Sequence, residues 1–149
     1  LGCSGNCKMQ SYFADALVNA PDIDAFIFDS FSNPTIEEIR ERLFPFIEKL
    51  QGAHPGKPLI FQHTIYRERR NFDLATEKNE SERMRVVDEL MAEAVKRYKD
   101  VYYVTTTNAT SPKHDTSVDG THPGDHGYSL WAESIQKPIL KILRKYGIR

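Results

Sequence analysis

Neither sign of charge is in surplus: 20 basic and 21 acidic side chains leave a net charge of −1. A nucleic-acid surface usually shows a basic excess, so that class of partner is not expected. Long apolar runs are also lacking. None approaches the roughly 20 residues needed to span a bilayer, and no membrane span is expected. Cysteine is scarce: Cys3 and Cys7 are the whole complement. Two cysteines are too few for a disulfide framework, and too isolated for a zinc site, which wants about four ligands. There is no glycine-rich phosphate loop and no acidic cluster at the first strand ends, so a nucleotide binder or a receiver domain is not supported. No cofactor is expected. Repeats, low-complexity tracts and linkers are absent, as are an initiator methionine and a leader with a basic start and an apolar middle. Leu1-Gly2-Cys3-Ser4-Gly5 instead reads as a strand end turning into a helix, as though the chain begins inside a domain. What is present is 149 residues, 40 % hydrophobic and 28 % charged. That composition and length suit one soluble globular domain over residues 1–149.

Apolar periodicity outlines its elements. Met9, Phe13, Ala16 and Leu17 have helical spacing within residues 7–19. Ala25-Phe26-Ile27-Phe28 is a short apolar run of the kind found in buried strands. Thr35, with Glu38 three residues on, forms a capping box ahead of Ile36, Ile39, Leu43, Phe46, Ile47 and Leu50 at helical intervals. His54-Pro55-Gly56 is a turn, and Leu59-Ile60-Phe61 a second buried strand. Residues 66–80 are polar and arginine-rich and read as a loop. A long amphipathic helix starts near Ser81, a third strand covers 101–104, and a polar loop runs to about Asp125. In the last helix, Trp131 is expected to pack against the sheet. Strands alternating with helices imply an α/β fold: a three-layer αβα, flavodoxin-like parallel sheet. Sites in such sheets form outside the carboxyl ends of the strands. Gly5, Asn33, His63 and the segment around Asp119 each follow a strand end and should share one rim.

The chemistry concentrates in Asp119-Gly120-Thr121-His122-Pro123, followed by Gly127-Tyr128. A tight turn brings i and i+3 to one side, so Asp119 can hold one ring nitrogen of His122 while the other faces a substrate or nucleophile. That is the base and its orienter in a hydrolytic triad. The same residues can also form a plain turn, with Asp119 bonding its own backbone. His122 and His126 with Asp115, Asp119 and Asp125 sketch a metal site, but Pro123 argues against the helix that it would need; no metal is expected. Arg67 and His63 can line a pocket and touch substrate, or be a solvated loop residue and a satisfied, partly buried histidine.

Three blocks in order resemble the SGNH (GDSL-like) esterase and acylhydrolase family: Gly2-Cys3-Ser4-Gly5-Asn6, Phe28-Asp29-Ser30-Phe31-Ser32-Asn33-Pro34, and Asp119-Gly120-Thr121-His122-Pro123. The resemblance covers almost the whole chain. It implies an SGNH-hydrolase-type fold, with Gly5 N–H and the Asn33 side-chain amide as oxyanion donors and Asp119 and His122 as the catalytic pair. Asn33 is followed by proline where many members have aspartate. The larger departure is the first block. Members open with a strand carrying the nucleophilic serine upstream of the glycine block, and this chain starts at that block. By the family pattern neither Ser4, Ser30 nor Ser32 is the nucleophile.

The resemblance therefore implies a fold truncated at its N-terminus and lacking its first strand. The implied enzyme is a serine esterase acting on a small ester substrate, with a short acyl group, conceivably on a carbohydrate. Its serine would lie outside this chain, which alone is expected to be inactive. The alternative is a non-catalytic binding module on the same scaffold. Without its central strand, 25–29 becomes an open apolar edge, a pairing hazard. It is expected to be covered by a second copy or another segment, or to be rearranged. The residues do not fix the compartment; many bacterial relatives are exported, which points to an extracellular or periplasmic location.

Overall fold

The computed structural model describes residues 2–105 and 113–149. The part of the expected polar loop over 106–112 lies outside them. Three parallel strands, β1 (Phe26–Phe28), β2 (Leu59–Gln62) and β3 (Val101–Val104), lie side by side in chain order. Phe26 is in register with Leu59, and Leu59 with Val101. The helices are α1 (Ser11–Val18), α2 (Ile36–Ala53), α3 (Leu74–Arg97) and α4 (Asp125–Arg144), with a 3-10 turn at Glu68–Asn71.

Side chains alternate across the sheet and so divide the core in two. Phe26, Phe28, Leu59, Phe61 and Val101 pack with Ala14 of α1, Leu43 and Ile47 of α2, and Met91 of α3. Ile60 and Val104 face the other way, onto Ile139 and Ile142 of α4. Helices on both faces of a parallel sheet make the three-layer α/β arrangement expected from the alternating pattern. Every residue of β2 is buried, the apolar run Leu59–Phe61 and the polar Gln62 that follows it.

The edge strand is less exposed than its sequence suggests. Phe26 and Phe28 are buried, and Phe28 meets Phe46 of α2 at 5.3 Å between ring centroids. Only Ile27 of the three faces outward, 47 % exposed, on the side where α4 covers its register partner Ile60. An edge of three residues presenting one apolar side chain is short, which limits unwanted pairing.

Local chemistry explains the helix starts. Glu38 N–H donates to Thr35 Oγ1 at 3.2 Å and Thr35 N–H to Glu38 Oε2 at 2.8 Å, the reciprocal capping box expected from sequence. Helix α1 is shorter than the expected 7–19, because Met9 is held in the left-handed region (φ 57°) and cannot join a right-handed helix. Helix α3 starts seven residues before Ser81. Asp73 caps it, its Oδ1 accepting from the N–H groups of Ala75 and Thr76 at 3.0 and 3.1 Å. Residues 74–80 were expected to be loop because they carry no apolar stripe. The side chain that α3 buries there is Glu80. Among the described residues no helix is long and apolar enough to cross a membrane.

Core truncation should outweigh cap removal. Leu43→Ala, at a fully buried site on α2, is expected to lower unfolding free energy by about 2–5 kcal/mol. Thr35→Ala should cost about 1 kcal/mol. Urea denaturation of the two variants checks both the values and their order.

Candidate active site

A cleft of about 420 Å³ opens at the carboxyl ends of the strands, where parallel α/β sheets form their sites. It draws on four parts of the chain. Ser4 and Gly5 come from the N-terminal turn, and Asp29, Ser32 and Asn33 from the loop after β1. Ile65 and Arg67 follow β2, and Thr121, His122, Pro123, Tyr128 and Trp131 come from the approach to α4 and its first turns. Gly5 has φ 81°, a conformation that a side chain would strain, and a β-carbon there would sit 3.8 Å from Asn33 Oδ1. The Gly5 backbone and the Asn33 amide are therefore neighbours.

His122 is oriented by its own turn. Its Nδ1–H donates to Asp119 Oδ2 at 2.7 Å. The other carboxylate oxygen, Oδ1, accepts from the backbone N–H of Thr121 (2.8 Å) and His122 (2.7 Å), with Ser117 Oγ at 3.3 Å. These bonds, led by the His122 backbone N–H, hold the Asp119 carboxyl well below the usual carboxylate range. Side chains this exposed, 79 % for His122 and 55 % for Asp119, gain little stability from their ion pair. What the pair supplies is direction. With Nδ1 committed, Nε2 has no hydrogen-bond partner among the described residues.

The rest of the motif builds that turn. Gly120 (φ 76°) lies so close to Arg69 that a β-carbon would fall 3.2 Å from its backbone nitrogen. Arg69 N–H in turn donates to Gly120 O at 2.8 Å. At Gly127 a β-carbon would lie 2.5 Å from the Thr116 carbonyl oxygen and 2.9 Å from Pro123 Cβ. Thr116 O also accepts from Gly124 N–H at 2.9 Å. The glycines after Asp119 thus let the loop fold tightly onto Thr116 and the 3-10 turn.

On the Asn33 side, Ser32 O accepts two guanidinium bonds, from Arg67 Nη2 at 2.7 Å and Arg83 Nη1 at 3.0 Å. Glu80 Oε1 bridges the same two arginines at 3.0 and 3.1 Å. Glu80 and Arg83 are almost wholly buried, so their charges need this pairing. Ser32 Oγ is hydrogen-bonded to the buried Thr64 hydroxyl and approaches Asp29 Oδ1 at 3.3 Å. Although Asp29 keeps an exposed face, the protein mass around its carboxyl raises its pKa, against the pull of Ser32 and Arg67.

Of the residues singled out from sequence, Gly5, Asn33, Arg67 and His122 line the cleft, and Asp119 stands behind His122. His63 does not line it. Its Nδ1 bonds Thr64 O at 2.7 Å and its ring lies 6.2 Å from Tyr103. Arg67 has both terminal nitrogens engaged inside the protein. Trp131 lines the cleft beside Tyr128, ring centroids 6.1 Å apart, while Ile139 and Ile142 pack α4 on the sheet. Glu68, Glu80 and Arg83 were not anticipated as part of the site's support; they lie in or beside the stretch read as loop. Next to Gly5, the thiols of Cys3 and Cys7 are 3.2 Å apart, and burial, then Cys3, push the Cys7 thiol up to about 11. Among the described residues no group of three His, Cys, Asp or Glu side chains is disposed to hold a metal ion.

With this geometry in place, the relatives are informative. Residues 1–141 match the GDSL-like lipase/acylhydrolase family, and the chain belongs to it. A crystal structure from Bacteroides ovatus, of a protein assigned as a GDSL-like lipase, superposes with a TM-score of 0.85 at 32 % sequence identity. The match covers 94 % of this chain but only 42 % of that one. No curated protein matches.

Two outcomes are expected. Gly127→Ala has no room at Thr116 O and should displace the 116–124 loop, seen as shifted ¹H–¹⁵N resonances from Thr116 to His122. The Asp119 carboxyl should remain ionised in the folded protein below about pH 3.9, the ordinary aspartate value. A depressed native pKa means that this turn's contribution to stability is present above that value and is lost as pH falls through the lower native one. A ¹³C NMR titration in which Asp119 takes up its proton near the ordinary value contradicts this.

Proposed function

We propose that this chain is part of a serine esterase that cleaves a carboxylic ester, with His122 as general base and Asp119 as its orienter. The observation that carries the reading is the convergence of His122, Gly5 and Asn33 on one cleft. A serine hydroxyl is a weak nucleophile near neutral pH and needs a base within hydrogen-bond reach. His122 Nε2 would take that proton and return it to the leaving alcohol. Asp119 would keep the proton on Nδ1 and stabilise the imidazolium. The Gly5 N–H and the Asn33 amide N–H would donate to the oxyanion of the tetrahedral intermediate.

The nucleophile would come from outside the described residues. Ser32 Oγ is taken up by Thr64 and Asp29, and no hydroxyl is bonded to His122 among the described residues. The same observation favours the second reading, a binding module on a hydrolase scaffold. The substrate would be a small ester; a short acyl group on a carbohydrate is compatible with the exposed Tyr128 and the neighbouring Trp131 at the cleft.

Hydrolysis of short-chain aryl esters by this chain and by an N-terminally extended form separates the readings. Activity in the extended form alone supports the esterase, and none in either supports the binder. In the active form His122→Ala should abolish turnover. Asn33→Ala should lower kcat about 100- to 1000-fold with little change in KM; an unchanged kcat removes Asn33 from the oxyanion site.

A further inference from the structure

Two adjacent residues, neither within the three sequence blocks, reach the two halves of the cleft from one short turn. Arg67 Nη2 donates to Ser32 O, the carbonyl immediately before Asn33. Arg83 Nη1 donates to the same oxygen, and Glu80 Oε1 holds both guanidiniums. A carbonyl oxygen has two lone pairs, and two donors occupy both. Because the peptide is planar, fixing that oxygen fixes the plane from which Asn33 departs. On its other side Pro34 restricts the Asn33 backbone to extended conformations. Asn33 is therefore clamped before and after.

Glu68, the next residue in the chain, turns the opposite way. It is 3 % exposed, and its Oε1 accepts from Thr116 N–H at 3.0 Å and from the Thr116 hydroxyl. Thr116 O is the contact point for Gly124 and Gly127 on the far side of the His122 turn. Arg69 N–H then takes Gly120 O. Neither Arg67 nor Glu68 bonds Asn33 or His122 directly. Each holds the backbone that carries one of them.

We propose that Arg67 and Glu68 are paired positioning residues, one setting the Asn33 amide and the other the Asp119–His122 turn, so that the 67–68 peptide sets the distance between oxyanion donor and base. This rests on the esterase reading above. It gives Arg67 a role through Asn33 in place of contact with substrate. Lysine cannot replace it, because a single ammonium does not span Glu80 and Ser32 O as a planar fork does. Glutamine can replace Glu68, since its amide oxygen accepts the same Thr116 N–H.

The test uses the full-length protein with 4-nitrophenyl acetate, alongside hydrogen–deuterium exchange read on peptides covering 31–35 and 116–123. Arg67→Met, Arg67→Lys and Glu68→Ala should each lower kcat about 10- to 100-fold with KM little changed, the size of loss that misplacement of about 1 Å produces. Glu68→Gln should stay near wild type. Exchange should quicken at 31–35 in the Arg67 variants and at 116–123 in Glu68→Ala, with β2 and β3 unchanged. Wild-type kcat in Arg67→Met and Glu68→Ala overturns the proposal, as does equal loss in Glu68→Gln and Glu68→Ala. If the wild-type protein cleaves no ester, or His122→Ala is as active as wild type, the esterase reading fails instead. The exchange pattern then decides alone: local quickening at the two segments upholds the brace, and unchanged exchange there overturns it.

Discussion

Strand Leu59–Gln62 is buried along its whole length, and most of this molecule follows from that. A strand with no exposed face must pair its backbone polar groups with neighbours on both sides, and must be covered by apolar side chains above and below. Helices α2 and α3 therefore lie over one face and α4 over the other. The covered faces leave no room for charged chemistry. The parallel direction gathers the carboxyl ends of the strands, and the polar loops that follow them, on one rim. The cleft containing Gly5, Asn33, Arg67 and His122 is the consequence.

The rim solves a second difficulty. Loops are mobile by default, and the residues that line a cleft keep a fixed arrangement only where their backbone is held. Here the backbone around them is tied by charge and by close approach. Two guanidiniums share one carbonyl before Asn33, and a buried carboxylate holds Thr116 behind the His122 turn. Two glycines let that turn lie directly on its neighbours. The charges at Glu80 and Arg83 are costly to bury, and the four bonds to Ser32 O and Glu80 offset that cost while specifying one loop geometry. Asp119 works differently. It is exposed and contributes mainly by aiming a ring.

Much of this was legible from residue order. The alternation of strands and helices, the capping box at Thr35 and Glu38, and the Asp119–His122 spacing are local signals, readable because each depends on residues within a few positions of one another. The family follows from three such signals in order. The start of α3 was not legible, because the side chain that residues 74–80 bury is Glu80, paired with Arg67 and Arg83, instead of an apolar stripe, and periodicity registers only apolar faces. Trp131 was also misplaced. It was expected on the sheet, but it lines the cleft from the second turn of α4, and Ile139 and Ile142 further along hold the helix to the sheet.

Sequence alone determined the layer order, the apolar run of β2, the spacing that lets Asp119 reach His122, and membership of the GDSL-like lipase/acylhydrolase family, since these are properties of short stretches and their succession. Only the tertiary structure decided that Arg67 is spent on Ser32 and Glu80, that His63 turns away from the cleft, and that Glu68 reaches Thr116 across 48 positions. Those choices turn on which polar groups the folded backbone brings within hydrogen-bond reach of one another. The partners lie far apart along the chain, and no local pattern encodes their meeting.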